Sequence, residues 1–168
     1  MSFDHTLIEQ MAASLARNFE GLYYIEIESG NFVQFIPERQ MEMVESPDSG
    51  EDFFELAREN AGKFIHPDDL DKVLEIYDRK RLRELLDKEG SYSVSCRSIL
   101  YGKVMHFRHI VIMCDDREHI IACLENIEEE FREKEEQKRN LYNAQLMARR
   151  DELTGIKNKN AFTEHAAE

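Results

Sequence analysis

The sequence is poor in cysteine. Cys96, Cys114 and Cys123 are odd in number and widely spaced, with no Cys-x-x-Cys among them. That is no disulfide framework. Each sits in a strand-like apolar run, where cysteine behaves as a small hydrophobe. Long apolar runs are also missing. No stretch approaches the roughly 20 apolar residues of a membrane span. The opening residues, MSFDHTLIEQMAASLARNF, carry an early acid and no apolar h-region, so they do not read as a signal peptide. Positive charge is scarce: 22 Lys and Arg face 35 Asp and Glu, a net charge of −13. Such a surface repels phosphate backbones, so neither nucleic acid nor a membrane is expected as a partner. A cytoplasmic location is expected by default.

The chain has 168 residues, enough for one ordinary domain with appendages. Hydrophobic residues make up 42%, adequate for a core, and charged residues 34%, a share that long exposed helices would account for. In residues 4–19, Leu7, Met11, Leu15 and Phe19 recur at helical spacing. Asp4 suits the N-cap and Gly21 the stop. LYYIEIE (22–28), the turn ESGN (28–31) and FVQFI (32–36) read as a hairpin that Pro37 ends. Residues 37–50 read as a loop, and EDFFELAREN (51–60) as a short helix ended by Gly62. A helix starting at Pro67 follows, with Asp68 and Asp69 at its positive end, an apolar face from Leu70 to Leu86, and Gly90 closing it. Three strands come next: 91–100, 103–114 and 119–127. Their short connections imply antiparallel neighbours. From Glu128 to about Arg150 there is neither Gly nor Pro, and Glu128–Arg132, Glu130–Lys134 and Glu135–Arg139 are favourable i, i+4 pairs.

The order predicts an α+β domain. Five antiparallel strands carry helices inserted between strands 2 and 3, with a helix before the sheet and a long helix after it.

This order, with FIHPDDLDKV at residues 64–73, resembles a PAS sensory domain, in which His-Pro-Asp-Asp commonly opens the helix before the last three strands. Here that is His66, Pro67, Asp68 and Asp69. The family's Asp-Ile-Thr exit reads Asn126, Ile127, Glu128, so the Asp that usually pins the exit is an Asn. ARRDELTGIKNKNAF (148–162) resembles the entrance of the GGDEF family of diguanylate cyclases through Asp151, Leu153, Thr154, Gly155, Asn158 and Phe162. Ile156 stands for the usual Leu and Lys159 for the usual Arg. The resemblance implies four parts: an N-terminal amphipathic helix (1–20), a PAS domain (21–127), a signalling or coiled-coil helix (128–150) and the start of a GGDEF domain (151–168). It implies that the chain is the sensory part of a longer bacterial signalling protein whose output domain makes cyclic di-GMP from GTP. In a complete output domain Asn158 would inherit the guanine contact. The family's metal carboxylates and signature hairpin lie beyond this entrance, so no catalytic residue is expected here. The other reading is a free-standing dimerisation or protein-interaction module, with no catalytic output or a degenerate GGDEF domain.

The family's default ligand site lies between the sheet and the inserted helices. Candidate wall residues are Phe35, Phe54, Leu56, Phe64, Val73, Tyr77, Val94, Cys96 and Ile110, with His106 and Arg108 as the polar members. They form either a small-molecule pocket or an empty packed core. His106 and His109, three apart on a strand, face opposite ways, and Cys114 with His119 gives only two ligands, so no metal is expected. The helix after Pro67 has no further His for haem, and residues 40–65 have no Cys for a photoreactive flavin, so neither cofactor is expected. In residues 127–148, Ile127, Phe131, Leu141 and Ala148 keep coiled-coil spacing, with Lys134, Lys138 and Gln145 between them. A homodimer through the N-terminal helix, the sheet and the C-terminal helix is therefore expected.

Overall fold

A computed structural model describes residues 14, 16–35 and 49–154. The chain forms two units, Met1–Glu128 and Glu129–Glu168. Most of the predicted helix at 4–19, the loop at 37–48 and the whole stretch after Thr154, Asn158 included, lie outside the described residues. Of the first helix, Ser14 and Ala16 are helical, and Ala16 is buried.

In the first unit the elements run β1 (Gly21–Glu26), β2 (Phe32–Phe35), β3 (Ser49–Gly50), α1 (Phe53–Phe64), α2 (Pro67–Ile76), α3 (Arg79–Glu89), β4 (Ser91–Leu100), β5 (Lys103–Met113) and β6 (His119–Asn126). The strands form one antiparallel sheet in the order β3-β2-β1-β6-β5-β4. Among the described residues the sheet therefore has six strands, not five. The extra one is a two-residue strand at the end of the predicted 37–50 loop, paired with Phe32 and Val33.

Two helix boundaries also differ from the sequence reading. Helix α1 passes through Gly62 to Phe64, because the interior of a helix tolerates glycine at a modest cost. The single helix expected from Pro67 to Gly90 is two. Tyr77 leaves the helical path and is buried, and Asp78 starts a new helix by accepting the N–H of Arg81 at 2.7 Å. Helix α3 ends at Gly90, whose φ of +74° is the left-handed cap that glycine adopts without strain. At the β4–β5 turn Tyr101 and Gly102 both have positive φ, as a tight two-residue hairpin turn requires.

Strand alternation gives the sheet two unlike faces. The inner face carries Tyr23, Ile25, Phe32, Cys96, Leu100, Phe107, Val111, Ile120 and Ala122, packed with Phe53, Phe54, Val73, Ile76, Leu82 and Leu86 from the helices. By register the outer face carries Tyr24, Val33, Phe35 and Ile112, all partly exposed. His106, Arg108 and Ile110 share that face.

The His-Pro-Asp-Asp stretch is a fastening. His66 caps α2, its Nδ1 accepting the N–H of Asp68 at 3.3 Å, and Pro67 opens the first turn. Asp69 is buried and accepts from the backbone N–H and the Nε–H of Arg97, each at 2.8 Å, while Lys72 approaches it at 3.1 Å. The Arg97 guanidinium holds the Asp69 carboxyl well below the usual carboxylate range. The cluster ties α2 to β4.

Helix α4 (Glu128–Thr154) has 27 residues. Among its ion pairs the expected Glu130–Lys134 contact forms, Arg132 approaches Glu129 at 3.4 Å, and Lys138 meets Glu135 at 2.8 Å. Phe131, Leu141, Tyr142, Leu146 and Met147 are exposed on this helix. Among the described residues no helix is long and apolar enough to cross a membrane.

Candidate functional site

Helix α1 does not close completely onto the sheet. Between them lies a cavity of about 100 Å³. Phe53, Leu56, Ala57, Asn60, Ala61 and Phe64 form its helical side. This is the face of α1 that its N-cap and packing set: Asp52 Oδ1 accepts the N–H of Glu55, and Phe53 and Phe54 are buried. Tyr23, Ser98, Leu100, Phe107, His109, Val111, Ala122 and Leu124 form the sheet side, and Tyr77 borders it beyond the end of α2. Among the described residues no Lys, Arg, Asp or Glu lines the cavity.

Its polar centre is a pair. Tyr77 Oη and His109 Nδ1 lie 2.7 Å apart, and the two rings meet edge to face at 5.9 Å. Burial pushes the His109 imidazole down to about 4, so the ring is neutral at physiological pH. Burial likewise raises the Tyr77 phenol, which keeps its proton. A phenol O–H is the better donor and an imidazole nitrogen the better acceptor, so Tyr77 donates to Nδ1. The proton of the neutral ring then sits on Nε2. That nitrogen is buried and has no hydrogen-bond partner among the described residues.

The sequence-predicted wall residues separate into four groups. Leu56, Phe64 and Tyr77 line the cavity. Ile110 borders it, although register sets its side chain on the other face. Phe54, Val73, Val94 and Cys96 belong to the surrounding core. Phe35, His106 and Arg108 lie on the outer face. His109, weighed from the sequence only as a metal ligand, is a polar wall residue, and so are Asn60 and Ser98, which the sequence reading did not name. The signal for His109 was alternation: it stands between Phe107 and Val111, two inner-face residues of the same strand.

His106 and Arg108 have other partners. Arg108 meets Glu125 at 2.9 Å across the strand pair. His106 meets Glu128, the first residue of α4: Glu128 Oε2 accepts the His106 backbone N–H at 2.8 Å and lies 2.9 Å from its Nδ1. The N–H of Ile127 donates to the His106 carbonyl at 2.9 Å, and Asn126 Oδ1 accepts the N–H of Glu128 at 3.0 Å. The Asn126 side chain thus satisfies the first N–H of the helix that follows, and Glu128 supplies the contact to the sheet.

Burial raises the thiols of Cys96 and Cys123 to about 11, so both stay protonated. Among the described residues no group of three or more His, Cys, Asp or Glu is placed to hold a metal ion.

No protein-family model matches the chain, and no curated protein gives a significant match. Among solved structures, one described as "Structure of an RNA-binding Light-Oxygen-Voltage Receptor" is similar, with a TM-score of 0.43 and 14% sequence identity. The match covers 82% of this chain, which spans only 36% of that one.

Proposed function

We propose that the first unit is a cytoplasmic PAS-type sensory module of a bacterial signalling protein, with the cavity under α1 as its input site and α4 as its output. The observation that carries this reading is on β5. One strand presents His109 to the cavity on the inner face and His106 to Glu128 on the outer face. An occupant that moves the strand at 109 also moves the contact that holds the start of α4 at 106. The element order and the His66-Pro67-Asp68-Asp69 cap support the PAS assignment.

The output is proposed from the motif at 151–162, which resembles the start of a diguanylate cyclase domain. Two such domains must face each other to join two GTP molecules. The exposed Tyr24, Val33, Phe35 and Ile112 on the outer face, and the exposed apolar residues of α4, fit a second copy of this chain. That apolar face also favours a second reading, a dimerisation module without catalytic output.

The test is to extend the protein through the coding sequence after Glu168. If a Gly-Gly-Asp/Glu-Glu-Phe segment follows, the purified product makes cyclic di-GMP from GTP. Replacing Glu128 by Ala should change that rate without abolishing GTP binding. A product that dimerises but makes no cyclic di-GMP selects the second reading. A strict monomer by light scattering at high micromolar concentration refutes both.

A further inference from the structure

The chemistry of the wall restricts what can enter the cavity. Among the described residues no charged side chain lines it, and His109 is neutral there, so an ion would enter without a counter-charge from them. The volume of about 100 Å³ is below that of an engineered cavity of about 150 Å³ that takes benzene. The wall is mostly aromatic and aliphatic, which favours an apolar body. One group asks for more. Tyr77 occupies His109 Nδ1, and the buried Nε2–H has no acceptor among the described residues. A buried donor without an acceptor is costly, and a ligand oxygen placed there recovers that cost.

We propose that the cavity binds a small uncharged molecule with an apolar body and one hydrogen-bond acceptor, of the ketone, aldehyde or ether class, whose oxygen accepts the Nε2–H of His109. Tyr77 is a positioning residue: by donating to Nδ1 it fixes the tautomer that presents the proton to the ligand. The proposal rests on the cavity being the input site.

The test uses the full chain, with cyclopentanone as the acceptor-bearing probe and methylenecyclopentane as its near-isostere without the acceptor. Nitrogen-15 histidine spectra at pH 7 should show His109 as the Nε2–H tautomer, and cyclopentanone should shift that nitrogen. His109→Asn leaves an acceptor for Tyr77 but removes the Nε2–H. It should weaken cyclopentanone roughly fivefold to tenfold more than methylenecyclopentane, the worth of one hydrogen bond. Tyr77→Phe should turn the His109 signal into a tautomer mixture while the ring still packs.

Equal weakening of the two probes by His109→Asn, or no shift at Nε2, overturns the acceptor assignment and leaves the cavity as a site. Binding of methylenecyclopentane alone does the same. If neither probe moves the amide signals of Phe64, Leu100 and Phe107, the cavity is not an input site, and the sensory reading falls with it.

Discussion

Acid should weaken this fold through one imidazole ring at the cavity, by an amount that can be worked out. His109 is held neutral by burial, down to about 4 from an ordinary value near 6.5. The unfolded chain takes up a proton there as pH falls below about 6.5, while the folded chain does so only near 4. The stabilising difference is therefore intact above about 6.5 and is lost progressively down to about 4. Over the whole window each pH unit costs up to about 1.4 kcal/mol. Between pH 7 and pH 5 the loss from this residue alone is on the order of 2 kcal/mol.

Carboxylates also titrate near the lower end of that window, so the measurement is a difference. Urea unfolding of the native chain and of His109→Asn would be compared at pH 7 and pH 5. Asn cannot titrate, but its side-chain oxygen still offers Tyr77 an acceptor. The variant starts less stable at pH 7, since a well-packed ring is lost. Its further loss on going to pH 5 should be smaller than that of the native chain by about 2 kcal/mol. Equal losses in the two proteins would refute the reasoning: His109 would then have enough access to water to be protonated in the folded state. Native spectra at pH 5 that show a charged His109 ring would refute it independently.

Three further outcomes follow from single contacts. Asp69→Asn removes the charge that accepts from Arg97 and Lys72, and should cost on the order of 1.5–3 kcal/mol by denaturant unfolding. The Asp69 carboxylate has its acidity raised by that pairing, so its contribution is present above the ordinary Asp range and fades as pH falls below it; the variant should show a flatter stability curve below about pH 4. Glu128→Ala should speed amide hydrogen exchange at the start of α4 severalfold while exchange in β4 and β6 stays unchanged; no change would mean that the contact to His106 does not hold the helix. Gly90→Ala forces a left-handed backbone on an L-residue and should cost about 1–2 kcal/mol, read as a lowered midpoint of thermal unfolding.

The parts of the fold that were legible in the sequence are those that local chemistry dictates. The β4–β5 and β5–β6 pairings follow from three apolar runs joined by two- and four-residue turns, and the start of α2 follows from Pro67 and the acids behind it. The break at Tyr77–Asp78 was not legible. The residues on both sides are good helix formers, and the reason to leave the helix is tertiary: the Tyr77 ring is needed over His109. The site was half legible for a related reason. On β5 both faces carry apolar residues, Phe107 and Val111 on one and Ile110 and Ile112 on the other, so alternation alone does not say which face the helices cover. Choosing the face of Ile110 selects His106 and Arg108. Only the pairing of β5 with β4 and β6, and the packing of α1 on Phe107, point to His109.

Both faces of β5 therefore carry a contact, each of a different kind. Here His109 and His106 are three residues apart, roughly 10 Å along the strand, and on opposite faces. One meets the cavity through a neutral, half-buried ring; the other meets the first residue of α4 through a carboxylate at the surface. In the proposed reading an occupant would meet the inner contact, while the outer one fastens Glu128, the first residue of α4. If the two contacts are coupled, the backbone through Phe107 and Arg108 is the shortest path between them. A double-mutant cycle on His109→Asn and Glu128→Ala measures the coupling directly. If the strand transmits, ligand binding should change amide exchange at the start of α4 in the native chain and leave it unchanged once Glu128 is removed. Additive effects with no ligand dependence would make β5 a common scaffold for two unrelated contacts.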